Sequence, residues 1–372
     1  MKTGQPLAFV RNCLLWGAAF GVVSLATPAD AAEGSVRGIA IATWQHAAAA
    51  SVSGRPVRDE PSAALDLSAS LPAWGGAFEL ELKGATTPRG NGVTRALSVA
   101  NAAVGETLDN DDRGRMIPWQ LYYRHGLGNG SLAAGLIDAT GWLDGNDIAA
   151  DEFTQFMGVT FVHNPAIDLP AASAGVAYSA GLGHGFGLAA VVSNATGVEP
   201  RYRRAFDLGR HGSGAFAALE AQWTGGALSV NLGGWLNTRN HDTDGDGVDD
   251  DRLGEGHASG VYGNLSGSLG AGRWNLRAGW ADPDIQSTAA FLGVAYSRPV
   301  GDAVVGAGAS RTYASSRIDE PHADLSQLEV YARMPLTRHL SFTADLQRIA
   351  HPGFDPSQSG VWVTGARVGW SF

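Results

Sequence analysis

The last twelve residues, Val361-Trp362-Val363-Thr364-Gly365-Ala366-Arg367-Val368-Gly369-Trp370-Ser371-Phe372, decide the fold. Trp362, Thr364, Ala366, Val368, Trp370 and Phe372 share one face of an extended chain, while Val363, Gly365, Arg367, Gly369 and Ser371 share the other. A period of two is the mark of a strand with unlike faces. The same alternation runs upstream. Leu340, Phe342, Ala344 and Leu346 oppose Ser341, Thr343, Asp345 and Gln347, and Leu328, Val330, Ala332 and Met334 oppose Gln327, Glu329, Tyr331 and Arg333. Leu65, Leu67, Ala69 and Leu71 oppose Asp66, Ser68 and Ser70 near the other end, followed by Phe78, Leu80 and Leu82 against Glu79, Glu81 and Lys83. Trp119, Leu121 and Tyr123 against Gln120, Tyr122 and Arg124, and Trp274, Leu276, Ala278 and Trp280 against Asn275, Arg277 and Gly279, continue the pattern.

Alternation alone does not separate a soluble sandwich from a membrane barrel, because both have one apolar and one polar face. Three features favour the barrel. The strand-like segments run longer than the five or so residues usual in soluble sheets and suit a tilted membrane crossing. Aromatic residues recur near strand ends, at Trp74, Trp119, Trp223, Trp274, Trp280, Tyr296, Trp362 and Trp370, where an interfacial girdle would lie. The terminal Phe372 resembles the assembly signal of bacterial outer-membrane barrels, which implies the barrel-assembly machinery as a partner.

Composition narrows the alternatives. With 51 glycines in 372 residues and no three-residue period, collagen is excluded, and 44% hydrophobic residues argue against general disorder. Residues 1–31 have a signal-peptide layout: Lys2 and Arg11, an apolar stretch from Leu14 to Leu25, and the small-x-small site Ala29-Asp30-Ala31. The apolar stretch is short of the roughly 20 residues that a membrane helix needs. The single cysteine, Cys13, falls inside this segment, so the mature chain, residues 32–372, has no disulfide, thiol nucleophile or cysteine-bound metal. The acidic balance, −10 for the whole chain, and the lack of a basic stripe argue against nucleic acid as a partner.

Seventeen segments read as strand-like: 36–46, 62–71, 75–84, 117–125, 130–138, 155–163, 172–181, 185–194, 213–224, 226–238, 257–270, 272–281, 288–298, 302–314, 324–334, 338–349 and 361–372. A single-chain bacterial barrel has an even number. Phe153, Phe156, Met157 and Phe161 fit helical spacing better than alternation, so 155–163 is set aside. The expectation is an all-β transmembrane antiparallel barrel of about 16 strands, wide enough for an aqueous channel. Tight turns are expected at Trp74-Gly75-Gly76, Gly183-His184-Gly185, Thr224-Gly225-Gly226, Gly270-Ala271-Gly272, Pro299-Val300-Gly301 and Pro335-Leu336-Thr337-Arg338, on the periplasmic side. Connections 85–116, 139–171, 195–212, 239–256, 314–323 and 350–360 are expected to be long loops, extracellular or folded into the lumen. Within them, Trp142 to Pro170 carries aromatics that need burial, which either the barrel interior or a small surface core of the loop's own supplies.

The C-terminal fifty residues carry Glu329, Tyr331 and Arg333, then Gln347, then Pro352-Gly353, then Arg367 and Phe372. In this order they resemble the carbohydrate-selective porins, with His351 where that family usually has Asn. Asp151-Glu152-Phe153-Thr154-Gln155-Phe156 followed by Asn164-Pro165 is similar to the family's central segment. The resemblance covers about a third of the chain, and it implies an exported outer-membrane channel for passive diffusion of sugars and other small hydrophilic solutes. It leaves monomer and homotrimer both open.

On the predicted inner side, Asp66, Glu79, Glu81, Arg124, Glu220, Arg277, Glu329, Arg333, Asp345, Gln347 and Arg367 supply mixed charge and hydrogen bonding for a channel lining. Tyr122, Trp235, Tyr262 and Tyr331 offer ring faces to a pyranose. The alternative is that the set only hydrates and braces a lumen. Mixed sign with a net negative chain predicts weak ion selectivity, toward cations. No Gly-x-Ser-x-Gly, His-Glu-x-x-His or Walker-type loop is present, which disfavours an enzyme; a barrel-borne hydrolase or a non-transporting structural or adhesive barrel are the other readings.

The segment 240–251, with Asp242, Asp244, Asp246, Val248 and Asp250 around Gly245 and Gly247, places hard oxygens and a carbonyl about a turn, as a structural calcium site requires. Leu253 stands where an EF-hand has its Glu, and the alternative is a solvated acidic tip. Calorimetry on the refolded protein is expected to give calcium binding with about millimolar affinity. No heat of binding would dispose of the site.

Overall fold

The computed structural model describes residues 34–372 except 49, 53, 110, 199–201, 209–212, 240–255 and 359. The proposed signal segment and calcium loop, with Asp242, Asp244, Asp246, Val248 and Asp250, therefore lie outside the described residues. The chain forms a closed barrel of sixteen antiparallel strands. These are β1 (Ser35–Ala48), β2 (Glu60–Ala73), β3 (Gly76–Ala85), β4 (Met116–Leu127), β5 (Gly130–Ile137), β6 (Ser173–Gly183), β7 (Phe186–Asn194) and β8 (Ala215–Gly225). The second half is β9 (Leu228–Asn237), β10 (Ala258–Leu269), β11 (Gly272–Ala281), β12 (Thr288–Val300), β13 (Ala303–Ala314), β14 (Leu325–Pro335), β15 (Leu340–Ala350) and β16 (Val361–Ser371). Each strand pairs with its sequence neighbours, and β1 pairs with β16 to close the ring. The set-aside segment 155–163 contains instead a single helical turn, Val159–Val162, within the β5–β6 loop.

The alternation is inverted relative to a soluble protein. On β14, Gln327, Glu329 and Tyr331 are buried while Leu328 and Val330 are exposed; on β16, Val363 and Arg367 are buried while Trp362, Val368 and Trp370 are exposed. Leu219, Leu232, Val261, Leu292 and Leu346 extend the exposed apolar face around the wall. Such a continuous face is stable only against hydrocarbon, which also requires that no backbone edge be left open.

The turns at one rim are short because their residues accept a left-handed backbone. Trp74 (φ 50°) and His184 (φ 53°) are each followed by a positive-φ glycine, and Gly226, Gly270 and Gly301 lead their turns at φ 60°. Two expectations are corrected. Strand β12 runs through Pro299 and Val300 at the sheet margin, so its turn is Gly301-Asp302 rather than Pro299-Val300-Gly301. Trp119 does not join the girdle: a register shift between Glu81 and Leu82 turns it inward, where it is 4% exposed and its Nε1 donates to Asp138 Oδ2 at 2.6 Å.

The seam is sealed by the last residue. Gly38 N donates to Phe372 O at 2.9 Å, Phe372 N donates to Gly38 O at 3.0 Å, and the ring packs against Trp370. A Cβ on Gly38 would meet the Phe372 ring at 2.4 Å, so a larger residue there has to displace the ring. Gly38→Val is therefore expected to slow barrel closure, and deletion of Phe372 to impair it more, while synthesis is unaffected. Both are read as loss of the compact, heat-modifiable band on a gel run without boiling. A truncated chain that inserts and migrates like the intact one would show the terminal aromatic to be incidental.

Candidate functional site

Two long connections fold back into the barrel. The β3–β4 loop (residues 86–115) buries Val93 and Leu97 against Ala47, Ile349 and Val363 of the wall, and Ala103 and Val104 against Ile41 and Ala64. The β5–β6 loop (138–172) buries Trp142, Leu143 and Ile167 against Phe216, Trp235 and Tyr262, and Ile148, Phe156 and Phe161 against Ala295 and Tyr331. Burial of these side chains, at roughly 1.5–3 kcal/mol each, draws the loops inward. Their irregular backbone must still be satisfied, and the polar face of the wall does that.

Arg367 Nη1 donates to Glu152 O at 2.7 Å and Nη2 to Gln155 O at 2.8 Å. Arg277 donates to the carbonyls of Phe161, Asp144 and Ala149 at 3.1 to 3.2 Å, and its Nε lies 3.1 Å from Asp144 Oδ2. Glu329 accepts from the amides of Met157 (2.6 Å) and Gly158 (2.8 Å), and Glu220 from that of Asp144 (2.7 Å) and from Tyr262 Oη (2.9 Å). Gln347 Nε2 donates to Ala100 O and to Asp345 Oδ1, both at 3.0 Å. Inside the β5–β6 loop, Asp151 Oδ1 accepts from the amides of Phe153 and Thr154, and Asn164 Oδ1 from that of Ala166. Asp151 and Asn164-Pro165 of the central segment thus act as turn formers.

All fifteen wall residues proposed as a lining lie on the inward half of their strand's alternation. They divide into two groups. Asp66, Glu220, Trp235, Tyr262, Arg277, Glu329, Tyr331, Asp345, Gln347 and Arg367 are buried. Glu220, Arg277, Glu329, Gln347 and Arg367 hold loop backbone, and Tyr331 meets the Phe156 ring edge-on at 4.9 Å. Glu79, Glu81, Tyr122, Arg124 and Arg333 keep part of their surface open. Four of these five sit on β3 and β4. Arg124 Nη2 pairs with Glu79 Oε1 at 2.8 Å, Gln120 donates to Glu81, and Tyr122 meets the Trp142 ring edge-on at 5.4 Å. A partly open polar strip therefore runs along β3 and β4, with the edge of the β5–β6 loop beside it.

Beside that strip lies an acidic cluster that pairwise alternation did not disclose. Lys83 Nζ is 3.1 Å from Glu152, 3.5 Å from Glu106 and 3.8 Å from Glu81, and it lies over the Trp119 ring. His163 is hydrogen-bonded to Glu106. Lys83 is visible in sequence as the third member of Glu79-x-Glu81-x-Lys83; Glu106, Glu152 and His163 come from loops, which have no period to read. Lys83 is thus shared by three carboxylates, with His163 as a second base on Glu106. Burial pushes the Glu152 carboxyl up to about 7 despite Lys83, and that of Asp144 up to about 6 despite Arg277. Burial also opposes ionisation of Glu106, but His163 and Lys83 outweigh it and hold the carboxyl down to about 2. Burial would lower His163, but Glu106 outweighs it and the imidazole is raised above 6.5. Among the described residues no group of three His, Cys, Asp or Glu is arranged to hold a metal.

A closed barrel of sixteen strands, apolar outside and polar inside, with loops folded into its lumen, is the architecture of a porin. The chain belongs to the family described as carbohydrate-selective porin, OprB family, whose sequence model matches residues 62–305. Among solved structures, that of Pseudomonas putida OprB at high pH superposes with a TM-score of 0.69 at 14% identity, covering 91% of this chain and 94% of that one. A mutant of the Rh. blastica porin gives 0.57 at 11%, covering 91% and 100%. An uncharacterized protein of Aquifex aeolicus (strain VF5) is 31% identical over 83 residues, which is 22% of this chain and 27% of that protein.

The titrating groups set the pH dependence of loop docking. Glu152 and Asp144 bind protons more tightly docked than free, so docking weakens as pH rises from about 4 to 7. His163 adds to this by losing its charge at higher pH, and Glu106 acts in the opposite direction only below about 4.5. Hydrogen exchange of residues 142–170, corrected for intrinsic rates, is expected to be slower at pH 5 than at pH 9. Equal protection at both would mean that these groups do not control docking.

Proposed function

We propose that the protein is an outer-membrane channel through which small neutral sugars, and other hydrophilic solutes of similar size, diffuse passively. The observation that carries this reading is the partly open strip of Glu79, Glu81, Gln120, Tyr122 and Arg124 beside Trp142. It offers charge-assisted hydrogen bonds to hydroxyl groups and aromatic edges to the apolar face of a sugar ring, with opposite charges paired so that little net field opposes a neutral solute. Family membership supports the carbohydrate class. In this reading residues 1–31 are the export signal removed in the mature chain, and the strand ending in Phe372 is presented to the assembly machinery. Assembly as a homotrimer and calcium held by the 242–251 loop belong to the same proposal. The role of Glu220, Trp235, Tyr262, Arg277, Glu329, Tyr331, Gln347 and Arg367 is to hold the loops that narrow the channel, and the five partly open residues meet the solute.

Liposome swelling with sugars of graded size tests it. Monosaccharides are expected to enter much faster than trisaccharides, and Arg124→Ala to slow a monosaccharide about five-fold, the loss of about one hydrogen bond. The mixed-sign lining of a net-negative chain predicts mild cation preference in a planar bilayer. Absence of both swelling and conductance from folded protein would point to a structural barrel, and strong anion selectivity would contradict the charge reading.

A further inference from the structure

The lipid-facing side of the barrel carries charge at the long-loop rim that the channel does not use. Arg348, near the end of β15, is exposed on the outward face and lies over the Trp362 ring at 6.0 Å. It stands opposite Leu328 of β14 and Trp362 of β16, with Leu346 two residues further in. Among the described residues no carboxylate pairs with it. Two strands away, Arg311 of β13 is also exposed and outward, over the Tyr313 ring at 5.1 Å. Its Nε and Nη2 donate to Asp324 Oδ2 at 3.0 and 2.7 Å, which leaves Nη1 unused by that pair. The register joins the two: Arg311 is opposite Ser326, Ser326 is opposite Ala350, and Arg348 lies two residues from Ala350 on the same face.

An arginine on the apolar face is tolerated near the membrane rim, where its cost falls to about 0–1 kcal/mol, and it seeks an anion there. The backbones of the two arginines stand two strand spacings and two residues apart, about 12 Å, a span comparable to that of a disaccharide headgroup. Guanidinium is the cation best matched to phosphate oxygens, and an aromatic ring beside each arginine suits the headgroup level. The rim is the one from which the long loops emerge, opposite the short turns and Phe372.

We propose that Arg311 and Arg348, braced by Tyr313 and Trp362, bind the phosphorylated sugar headgroup of a glycolipid in the outer leaflet. This rests on placement of the barrel in an outer membrane, which cell fractionation reads separately from the binding below. Folded protein in mild detergent is mixed with lipid A, phosphatidylglycerol or phosphatidylethanolamine and examined by native mass spectrometry. Lipid A is expected to be retained above the other two. Arg348→Gln is expected to reduce retention about five-fold, and Arg311→Gln by a similar factor. Neither substitution should change sugar permeability, which confirms that the variants fold, and Asp324→Asn should leave retention intact or raise it. Equal retention of lipid A by the double variant would overturn the proposal. Retention of phosphatidylglycerol equal to that of lipid A would overturn its assignment to a glycolipid.

Discussion

Hydrocarbon offers no hydrogen bond to a peptide group, and most of this structure follows from that. A sheet crossing a membrane must pair every edge, which makes ring closure by β1 and β16 a condition of existing rather than a refinement. Closure then fixes the alternation, since each strand has one side toward lipid and one toward the enclosed space. The residues that a soluble protein would expose, such as Glu329, Arg277 and Arg367, end up among the most buried.

A wide barrel brings a second problem: sixteen strands enclose more space than wall side chains fill. Here the space is occupied by chain from two loops, and the wall's inward charges serve as backbone partners for it. The arrangement is reciprocal. Arg367 and Arg277 take loop carbonyls, while Glu329 and Glu220 take loop amides, so cations and anions divide the two halves of the peptide group between them. Breaking one such contact would leave a buried charge or amide without a partner, a larger loss than the bond itself contributes. What remains open is the strip on β3 and β4, where side chains instead pair with each other.

The wall was legible because it is periodic. Sixteen strands, their inward residues and most tight turns follow from the period of two and from glycine. Misreadings occur where the period breaks. Trp119 lies at a bulge, which moves one residue to the other face without altering composition, and Pro299 reads as a breaker although it sits at a sheet margin where a missing amide costs little. The acidic cluster was hidden for another reason: Glu106, Glu152 and His163 are remote from Lys83 in sequence, and only the inward fold of two aperiodic loops brings them together. Alternation says that a residue points inward. It does not say whether water or another part of the chain meets it there, and for ten of the fifteen inward residues the wall is covered.

The join between Gly38 and Phe372 has a temporal meaning as well. The partner of β1 is β16, so every strand of the wall must be in place before the cylinder can shut. Until then the chain presents a series of amphipathic ribbons with unpaired edges, each a template for aggregation. The unclosed sheet has an open edge at each end, and the meeting of Phe372 with Gly38 removes both at once.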